Sequence, residues 1–357
     1  MYKKIFYFLI MFCLPFTAFS ANVELRSDHP EKYVVKKGDT LWDISAAFLK
    51  SPWLWPEIWQ VNPQIRNPHL IYPGDVLELA FCDGKPCLKL ATGGRNVKLS
   101  PGIRSSINEH AIPPIPLDVI RPFLSRPRVV DQDTLEMAPY VLASQDEHLI
   151  AGADNKVYVR GINKNEGSHR YMVFRSGKVY RNPPAAGEKQ GEILGYEALY
   201  IADAEIQRFG DPSTALITLS KREVLVGDRL LPEEDPIDVE FLPHAPDHEV
   251  NGKIISVMDG VSQIGQYQIV VLNQGAEDGL EAGHVLSINE SGRYVRDTIK
   301  RNYNIKTGVN HGKAELVELP EERIGELMVF RTFDKVSYAI VMELQRPAHI
   351  YDAVHLP

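Results

Sequence analysis

One stretch of 47 residues, from position 33 to position 79, carries enough local signals to predict a complete small fold. Two short runs of residues that favour β-strands, 33–35 and 76–79, mark its ends. Gly38 predicts a turn directly after the first run. The stretch is therefore expected to begin and end with a strand and to hold its helices in between.

Two short helices are predicted between these runs. The first is indicated by three apolar residues that recur at helical spacing and so share one face. Pro56 suits the first turn of the second helix, and Glu57 favours the same end. Asn62 and Pro63 end that helix near Val61. The apolar face of the first helix consists of Leu41, Ile44 and Phe48.

Motifs along this stretch, taken in order, resemble those of one known family. They are Tyr33-Val34-Val35, Gly38-Asp39-Thr40-Leu41, Ile44-Ser45, Asn62-Pro63 and Ile71-Tyr72-Pro73-Gly74-Asp75-Val76-Leu77. The stretch resembles a LysM module, the small βααβ (α+β) domain that binds N-acetylglucosamine polymers such as peptidoglycan. One departure is the connection from Lys50 to Trp55, which is longer and more aromatic than in the shortest members.

The resemblance implies a groove for glycan between the loop after the first strand and the loop before the last. Loop backbone groups would pair with the N-acetyl amide, and a shallow apolar dent would take its methyl group. Structural roles compete for the same residues, because Asp39 and Thr40 can cap a helix. Leu41 and Ile71 can likewise contact sugar C–H faces or belong to the core. The implied glycan-binding residues are Gly38, Asp39, Thr40 and Leu41 on one wall, and Pro68, Leu70, Ile71, Tyr72 and Pro73 on the other.

All four tryptophans, Trp42, Trp53, Trp55 and Trp59, fall within this module. Aromatic rings stack on sugars, but so small a module also needs large side chains to fill its core. We expect Trp59 to be buried and Trp53 to be the most exposed of the four.

The first 20 residues have the pattern of a cleaved signal peptide. Lys3 and Lys4 precede an apolar run over positions 5–16, and small residues precede a cut after Ser20. A retained membrane anchor is the alternative, but the run is short for a span that needs ~20 residues. Cys13 suggests a lipoprotein, although the bulky residue before it does not fit. The chain is therefore predicted to be exported and to be periplasmic or associated with the cell wall.

Charge and cysteine content narrow the class of protein further. Without residues 1–20 the chain has 37 basic and 47 acidic residues, a net charge of −10, which is a poor match for nucleic acid. Cys82 and Cys87 are then the remaining cysteines, and an even pair outside the cytosol predicts a disulfide. A redox pair is the alternative, but the C-x-x-C spacing is absent.

Residues 81–140 are predicted to contain the disulfide turn and a linker, because prolines interrupt any long element there. Between Lys85 and Arg128 the segment has eight basic and two acidic residues. This surplus fits either a solvated linker or a basic strap attracted to peptidoglycan carboxylates or anionic lipid.

The remainder is predicted to be all-β and duplicated, with two small barrels or sandwiches at 141–235 and 250–357. Runs rich in β-branched and aromatic residues alternate there with Gly, Asn and Asp. An acidic, proline-containing stretch at 232–249 joins the two copies. Segments of the first copy at 171–177, 191–195, 215–219 and 226–232 correspond in order to 285–292, 322–327, 338–342 and 353–357 in the second.

Local catalytic motifs are absent from the sequence, which has no G-x-S-x-G, S-x-x-K or H-E-x-x-H. His244 and His248 are four residues apart, but Pro243 and Pro246 forbid the helix that would put both on one metal-binding face. No catalytic residue, metal or cofactor is therefore predicted.

The predicted function is non-enzymatic binding of peptidoglycan strands in the bacterial cell envelope. The LysM module would hold the chain on the wall, and the β modules would engage a second envelope component, protein or lipid. Two alternatives remain open: a cell-wall hydrolase or transferase with a catalytic β region, and a protein-binding scaffold whose LysM fold has no sugar site.

Overall fold

A computed structural model describes residues 23–59, 71–82, 84–91, 112–124, 128–145, 149–162, 168–185, 187–233, 242–258, 263–292, 294–297 and 315–357. The chain divides into two compact units, Met1–Ile112 and Pro113–Pro357. The predicted signal peptide lies outside the described residues. Within the described part, no helix combines the length and the apolar character needed to cross a membrane.

The first unit is a small antiparallel sheet with helices between its first two strands. The predicted strand–helix–helix–strand order is confirmed, and a further strand extends the sheet. This strand was not predicted; it follows a tight turn at Gly84 and buries Cys87 and Leu88 completely. The elements are β1 (Lys32–Val34), α1 (Leu41–Phe48), a 3₁₀ turn (Pro52–Leu54), α2 (Trp55–Trp59), β2 (Val76–Cys82) and β3 (Lys85–Leu90).

The predicted disulfide is confirmed and lies at the end of the β2–β3 hairpin. Cys82 and Cys87 are bonded, with Cα atoms 5.8 Å apart, and Cys82 lies opposite Lys85 in the strand register. The bond closes a small loop, so its loop-entropy contribution is ~2 kcal/mol or less. It fixes the turn that returns the chain along β2.

The second unit contains two helices and the remaining strands. Its helices are α3 (Leu117–Leu124) and α4 (Gln132–Met137). Its strands are β4 (Arg128–Val130), β5 (Tyr140–Ser144), β6 (Lys156–Arg160), β7 (Arg170–Arg181), β8 (Ile193–Arg208), β9 (Ser213–Ser220), β10 (Arg229–Pro232), β11 (Gly252–Val257), β12 (Gln263–Ile264), β13 (Ile269–Leu272), β14 (Val285–Glu290), β15 (Tyr294–Asp297), β16 (Glu315–Glu318), β17 (Glu322–Thr332), β18 (Ser337–Leu344), β19 (Ala348–His349) and β20 (Ala353–His355).

Two rings of antiparallel strands with identical order confirm the predicted duplication. The first ring runs β5–β6–β9–β8–β7–β10 and closes because β10 pairs with β5. The second is a closed barrel with the order β11–β13–β18–β17–β14–β20. Numbered along the chain within each copy, both rings read 1–2–5–4–3–6. The four pairs of corresponding segments predicted from the sequence lie on corresponding strands of the two rings.

Each ring encloses an apolar core built from the inward-facing residues of its strands. Val157, Val173 and Ile217 are among the buried residues of the first ring, and Ile254, Leu286 and Val341 among those of the second. A separate cluster on the outside of the first ring is covered by α4, which contributes Leu135. Alternate residues along each strand point inward and fill the interior. The rings are therefore packed barrels rather than pores.

The C-terminal part of the segment predicted as a linker belongs to the second unit and contains helices and a strand. Helix α3, strand β4 and helix α4 all lie between positions 112 and 140, so this portion is not a plain linker. Strand β8 is 16 residues long and pairs with β4 as well as with its two ring neighbours, which gives β4 a place on the sheet. Pro139 follows α4 and precedes β5, so it marks a boundary between two elements. Most of the basic segment, residues 92–111, lies outside the described residues.

The two barrels contact each other through the β7–β8 connection of the first. Asn273 Nδ2 donates to Asn182 Oδ1 at 2.8 Å, and Lys335 Nζ lies 2.7 Å from a carboxylate oxygen of Glu192. Tyr180, at the end of β7, is buried with its hydroxyl 3.7 Å from the sulfur of Met258. These contacts make the barrels one compact unit.

Candidate glycan-binding site

The two loops predicted to form the groove lie side by side at one end of the first sheet. Strands β1 and β2 are antiparallel, with Val34 opposite Val76. The loop after β1 and the loop before β2 therefore lie at the same end of this strand pair. Two backbone hydrogen bonds continue the pairing into the loops: Val35 N–H to Asp75 O at 2.9 Å, and Gly74 N–H to Val35 O at 2.8 Å. The structure therefore brings the two predicted walls together.

Each loop contains the same four-residue turn, ending in Gly-Asp. In the first, Asp39 Oδ2 accepts the N–H of Lys36 at 2.8 Å. In the second, Asp75 Oδ2 accepts the N–H of Tyr72 at 2.9 Å. Gly38 and Gly74 have φ angles of 96° and 94°, a region that glycine occupies without steric penalty. The two turns thus have the same conformation and lie next to each other at the end of the strand pair.

Open space adjoins both glycines. A Cβ atom built on Gly38 or on Gly74 would meet no heavy atom within 4 Å. Both glycines are exposed, so a ligand can approach the backbone closely at these turns. Glycan recognition through backbone N–H and C=O groups requires such access.

Asp39 stabilises the first turn from its side chain. Besides the Lys36 N–H, its Oδ2 accepts the hydroxyl of Tyr33 at 3.0 Å. Burial, together with this hydrogen bond, raises the pKa of Tyr33 to about 12. The side chain of Asp39 therefore has an established structural role, whatever it contributes to a ligand.

Thr40 caps helix α1 through a reciprocal pair of hydrogen bonds. Thr40 Oγ1 accepts the N–H of Asp43 at 3.1 Å, and Asp43 Oδ2 accepts the N–H of Thr40 at 3.0 Å. This is a capping box, and Thr40 is 3% exposed. Of the two predicted caps, Thr40 is the one the structure uses.

The predicted wall residues differ in their exposure. Leu41 and Ile71 are completely buried, so their side chains pack in the core and only their backbones border the loops. Tyr72 is 38% exposed and Pro73 is partly buried. Pro68 and Leu70 lie outside the described residues. Among the described wall residues, Gly38, Asp39, Tyr72 and Pro73 are therefore the ones with accessible surface.

The four tryptophans fill the core of this unit. Trp59 is 2% exposed, and Trp53, at 9%, is the most exposed of the four, as predicted. None of the four indole N–H groups has a hydrogen-bond partner within the described structure. The rings therefore act first as core side chains, as expected for a unit with few residues to bury.

A cavity of about 520 Å³ lies on the first barrel, beside α4 and the start of β10. Its charged residues are already paired: Arg175 donates from two nitrogens to Asp228, each at 2.8 Å, and also to the carbonyl of Glu223. Arg229 donates to the carbonyls of Glu136 and Ala138 at 3.0 Å each. These hydrogen bonds connect the strands and loops that form the cavity wall, so both arginines have a structural role in the barrel.

Comparison with known proteins identifies the first unit. Residues 33–79 match the model of the LysM domain, the whole of the stretch that contains the paired turns. These residues form a LysM domain. LysM domains bind peptidoglycan- or chitin-type glycans and are typical of envelope or cell-wall proteins. The match covers this stretch and does not extend to the barrels.

One relative shares sequence with the chain over a short region. It is the Bacillus subtilis (strain 168) protein described as "Uncharacterized protein YqbP", 42% identical over 60 residues. The aligned region is 14% of this chain and 27% of the relative. The chain thus spans about a quarter of the length of this relative, whose description names no ligand.

The second turn was missed as part of the site by sequence reasoning. Gly74 and Asp75 were used there only as motif residues, yet they repeat the arrangement of Gly38 and Asp39. In both turns the aspartate accepts the N–H of the residue three positions before it. The repeated Gly-Asp pair, one after the first strand and one before the last, is the sequence signal that would have predicted the second turn.

Proposed function

We propose that this protein is exported to the bacterial cell envelope, where its LysM domain holds it on peptidoglycan strands without cleaving them. The tandem barrels engage a second envelope component, protein or lipid. The observation that carries the proposal is the LysM match over residues 33–79, in which two exposed Gly-Asp turns lie side by side.

The chemistry of the turns suits an N-acetylated sugar. The acetamido group offers one N–H donor, one carbonyl acceptor and one methyl group. Exposed loop backbone beside Gly38 and Gly74 supplies complementary donors and acceptors, and neither glycine has a side chain to keep a sugar away. Tyr72 and Pro73 border the same loop and offer apolar surface to sugar C–H groups.

The barrels account for the rest of the proposal. A single shallow module binds weakly, and a second attachment on the same chain raises retention through effective concentration. The barrels supply most of the chain and have surfaces outside the glycan-binding unit. Loss of wall retention after deletion of the LysM domain alone, with no effect of deleting either barrel, would remove the support for a second partner.

Co-sedimentation with purified sacculi tests the glycan site. The parent protein, Gly38→Arg, Tyr72→Ala and a truncated protein that begins at Pro113 are compared. Gly187→Arg is the matched control, because Gly187 has a φ of 93° and the same open surroundings but lies in the first barrel. We expect the parent and the control to pellet, Tyr72→Ala to pellet less, and the other two to stay soluble.

Each other outcome contradicts a named part of the proposal. If all proteins pellet equally, the wall is bound outside the LysM groove. If the parent does not pellet, the LysM domain does not bind peptidoglycan here. A clearing zone in a murein zymogram would contradict binding without cleavage.

A further inference from the structure

A group of metal-ligating side chains in the second barrel is formed by two segments that are distant in sequence. The segment before β11 pairs with the start of β14 through a parallel bridge, in which His244 N–H donates to Gly283 O at 3.0 Å and Val285 N–H donates to His244 O at 2.9 Å. Gly283 permits this approach: its φ is 102°, and a Cβ there would lie 2.7 Å from the carbonyl oxygen of Leu242. His244 and His284 thereby become neighbours.

Three side chains converge at this bridge. The rings of His244 and His284 have centroids 4.7 Å apart. With the carboxylate of Glu281, one ligand atom from each residue lies within 4.8 Å of the others. His284 is 5% exposed, whereas His244 and Glu281 are exposed, so the group has a rigid buried side and an open side from which an ion can enter.

The hydrogen bond of His244 leaves one ring nitrogen suited to a metal ion. Its Nδ1 lies 2.9 Å from the carbonyl oxygen of Leu242, so this nitrogen carries the proton and donates. The lone pair is then on Nε2. Histidines that bind metals through one nitrogen characteristically donate from the other to a backbone carbonyl or carboxylate.

His284 has the opposite arrangement, which an ion would change. Its Nδ1 accepts the N–H of Glu281 at 3.1 Å, so the neutral ring carries its proton on Nε2. An ion bound at Nδ1 replaces that hydrogen bond directly, and an ion bound at Nε2 moves the ring proton to Nδ1. Either way, ion binding requires the loss of one backbone hydrogen bond.

A neighbouring histidine, His248, has a buried ring nitrogen without a hydrogen-bond partner among the described residues. The ring of His248 lies 6.2 Å from that of His284, and its Nδ1 is 3.1 Å from Oδ1 of Asp247. Its Nε2 is buried and has no hydrogen-bond partner in the part of the chain that the structure describes.

We propose that His244, Glu281 and His284 form a binding site for a divalent transition-metal ion, with Zn²⁺ as the first candidate. Two imidazoles and one carboxylate are a ligand set that Zn²⁺ and its late first-row neighbours accept, and three protein ligands leave a position for water. The ion would join the segment before β11 to the start of β14 and so secure the entry to the second barrel.

Calorimetric titration of the tag-free, chelator-treated full-length protein with Zn²⁺ tests the site. We expect one ion to bind per chain and to raise the melting temperature. His244→Gln, Glu281→Gln and His284→Gln are each expected to weaken the affinity by more than about tenfold. His349→Gln is the matched control, since His349 is an exposed histidine of the same barrel, and its affinity should equal that of the parent.

A Co²⁺ absorption spectrum gives a second readout that depends on ligand identity. Its visible bands should change in His244→Gln, whose exposed side chain can be replaced without disturbing the core. The proposal is overturned if the parent shows no saturable binding of one ion. It is equally overturned if His244→Gln, folded by circular dichroism, binds Zn²⁺ as the parent does.

Discussion

The two barrels have the same ring of six strands, but they satisfy an equivalent buried aspartate differently. In the first, Asp228 precedes β10, accepts the N–H of Leu225 at 2.8 Å and is paired with Arg175. In the second, Asp352 precedes β20 and accepts the N–H of His349 at 2.7 Å. Both copies have the turn, but among the described residues an arginine pairs with the aspartate in the first barrel alone.

Two further buried acids, one in each barrel at positions that are not equivalent, are also satisfied differently. On β8, Glu197 accepts the N–H of Lys178 at 3.0 Å. On β17, Glu326 has one oxygen 2.5 Å from Arg323, while the other is buried with no partner among the described residues. Burial raises the pKa of Glu326 to about 7, despite the opposing effect of Arg323.

These differences show that the strand order of the ring and the partners of its buried acids have separate causes. Strand order follows from apolar side chains that alternate toward the interior, and both copies retain that alternation. The donors that the buried carboxylates find differ between the two barrels, and one oxygen of Glu326 finds none among the described residues. Duplicated barrels can therefore keep one topology while their stabilities respond differently to mutation and to pH.

The largest loss of stability is expected at Gly325 on β17, and a smaller loss at Gly195 on β8. A Cβ on Gly325 would lie 2.2 Å from the carbonyl oxygen of Glu343, which is backbone and cannot yield. Gly325→Ala should therefore reduce the free energy of unfolding by about 3 kcal/mol or more. A Cβ on Gly195 instead meets Cγ1 of Val129, a side chain that can rotate, at 2.5 Å, so Gly195→Ala should cost about half as much.

Urea unfolding of both variants measures this difference. Gly195→Ala combined with Val129→Ala should recover part of the loss, because the side-chain obstacle is removed while the φ of 159° at position 195 remains. Equal losses for Gly195→Ala and Gly325→Ala would show that the backbone, not the adjoining side chain, sets the requirement in both barrels.

Substitution of either equivalent aspartate should cost no more stability than Gly325→Ala. Asp228→Asn leaves Arg175 without its carboxylate and should lower the free energy of unfolding by about 3 kcal/mol, at the low end for a buried pair because Arg175 is 34% exposed. Asp352→Asn removes no ion pair and should cost about 1 kcal/mol. Asp133→Asn, on the exposed face of α4, is the control. Thermal unfolding at pH 7 reports all three, and a larger loss for Asp352→Asn would reverse the comparison.

Much of the fold could be predicted because its signals are local. Short β-branched runs, a capped helix and glycine turns predict the LysM unit, and repeated runs in the same order predict the duplicated barrels. Strands β3 and β4 were missed because they are defined by their partners: β3 by the β2 edge and a tight turn, β4 by the length of β8. Prolines near β4 indicated a linker where they mark strand and helix ends.

The candidate sites show the same limit. The turn at Gly38 could be predicted because it lies next to a strand, and its motif belongs to a known family. For Leu41 and Ile71 the sequence left both a core role and a sugar contact open, and the structure shows both residues buried. His284 is 40 positions from His244, so no local pattern could join them; the sequence suggested His248 instead, which the prolines excluded.

Glu326 makes the second barrel sensitive to pH near neutrality. Its pKa in the folded protein, about 7, lies above the ordinary value of 4.5, so the folded state favours the neutral acid. The stability that this group contributes is present below pH 4.5 and is lost as pH rises through 7. Glu326→Gln should thus stabilise the protein by about 2 kcal/mol at pH 8, less than the full shift implies because the contact with Arg323 is weakened.

Urea unfolding from pH 4 to pH 8 checks this prediction. The advantage of Glu326→Gln over the parent should grow as the pH rises. A constant difference between Glu326→Gln and the parent across this range would mean that folding does not shift the pKa of Glu326.

The smallest effect is expected at the residue before each aspartate. Gly227 has a φ of 92° in the first barrel, and Tyr351 has a φ of 77° at the same place in the second. A non-glycine residue is strained there, and the half-exposed ring of Tyr351 loses little packing when removed. Tyr351→Gly should therefore raise the free energy of unfolding by about 1 kcal/mol and the melting temperature by roughly 2 to 4 °C. Gly227→Ala should shift both by a similar amount in the opposite direction. A fall in melting temperature for Tyr351→Gly would show that contacts of the tyrosine ring outweigh the backbone strain, and that the second barrel has replaced a conformational requirement with a packing one.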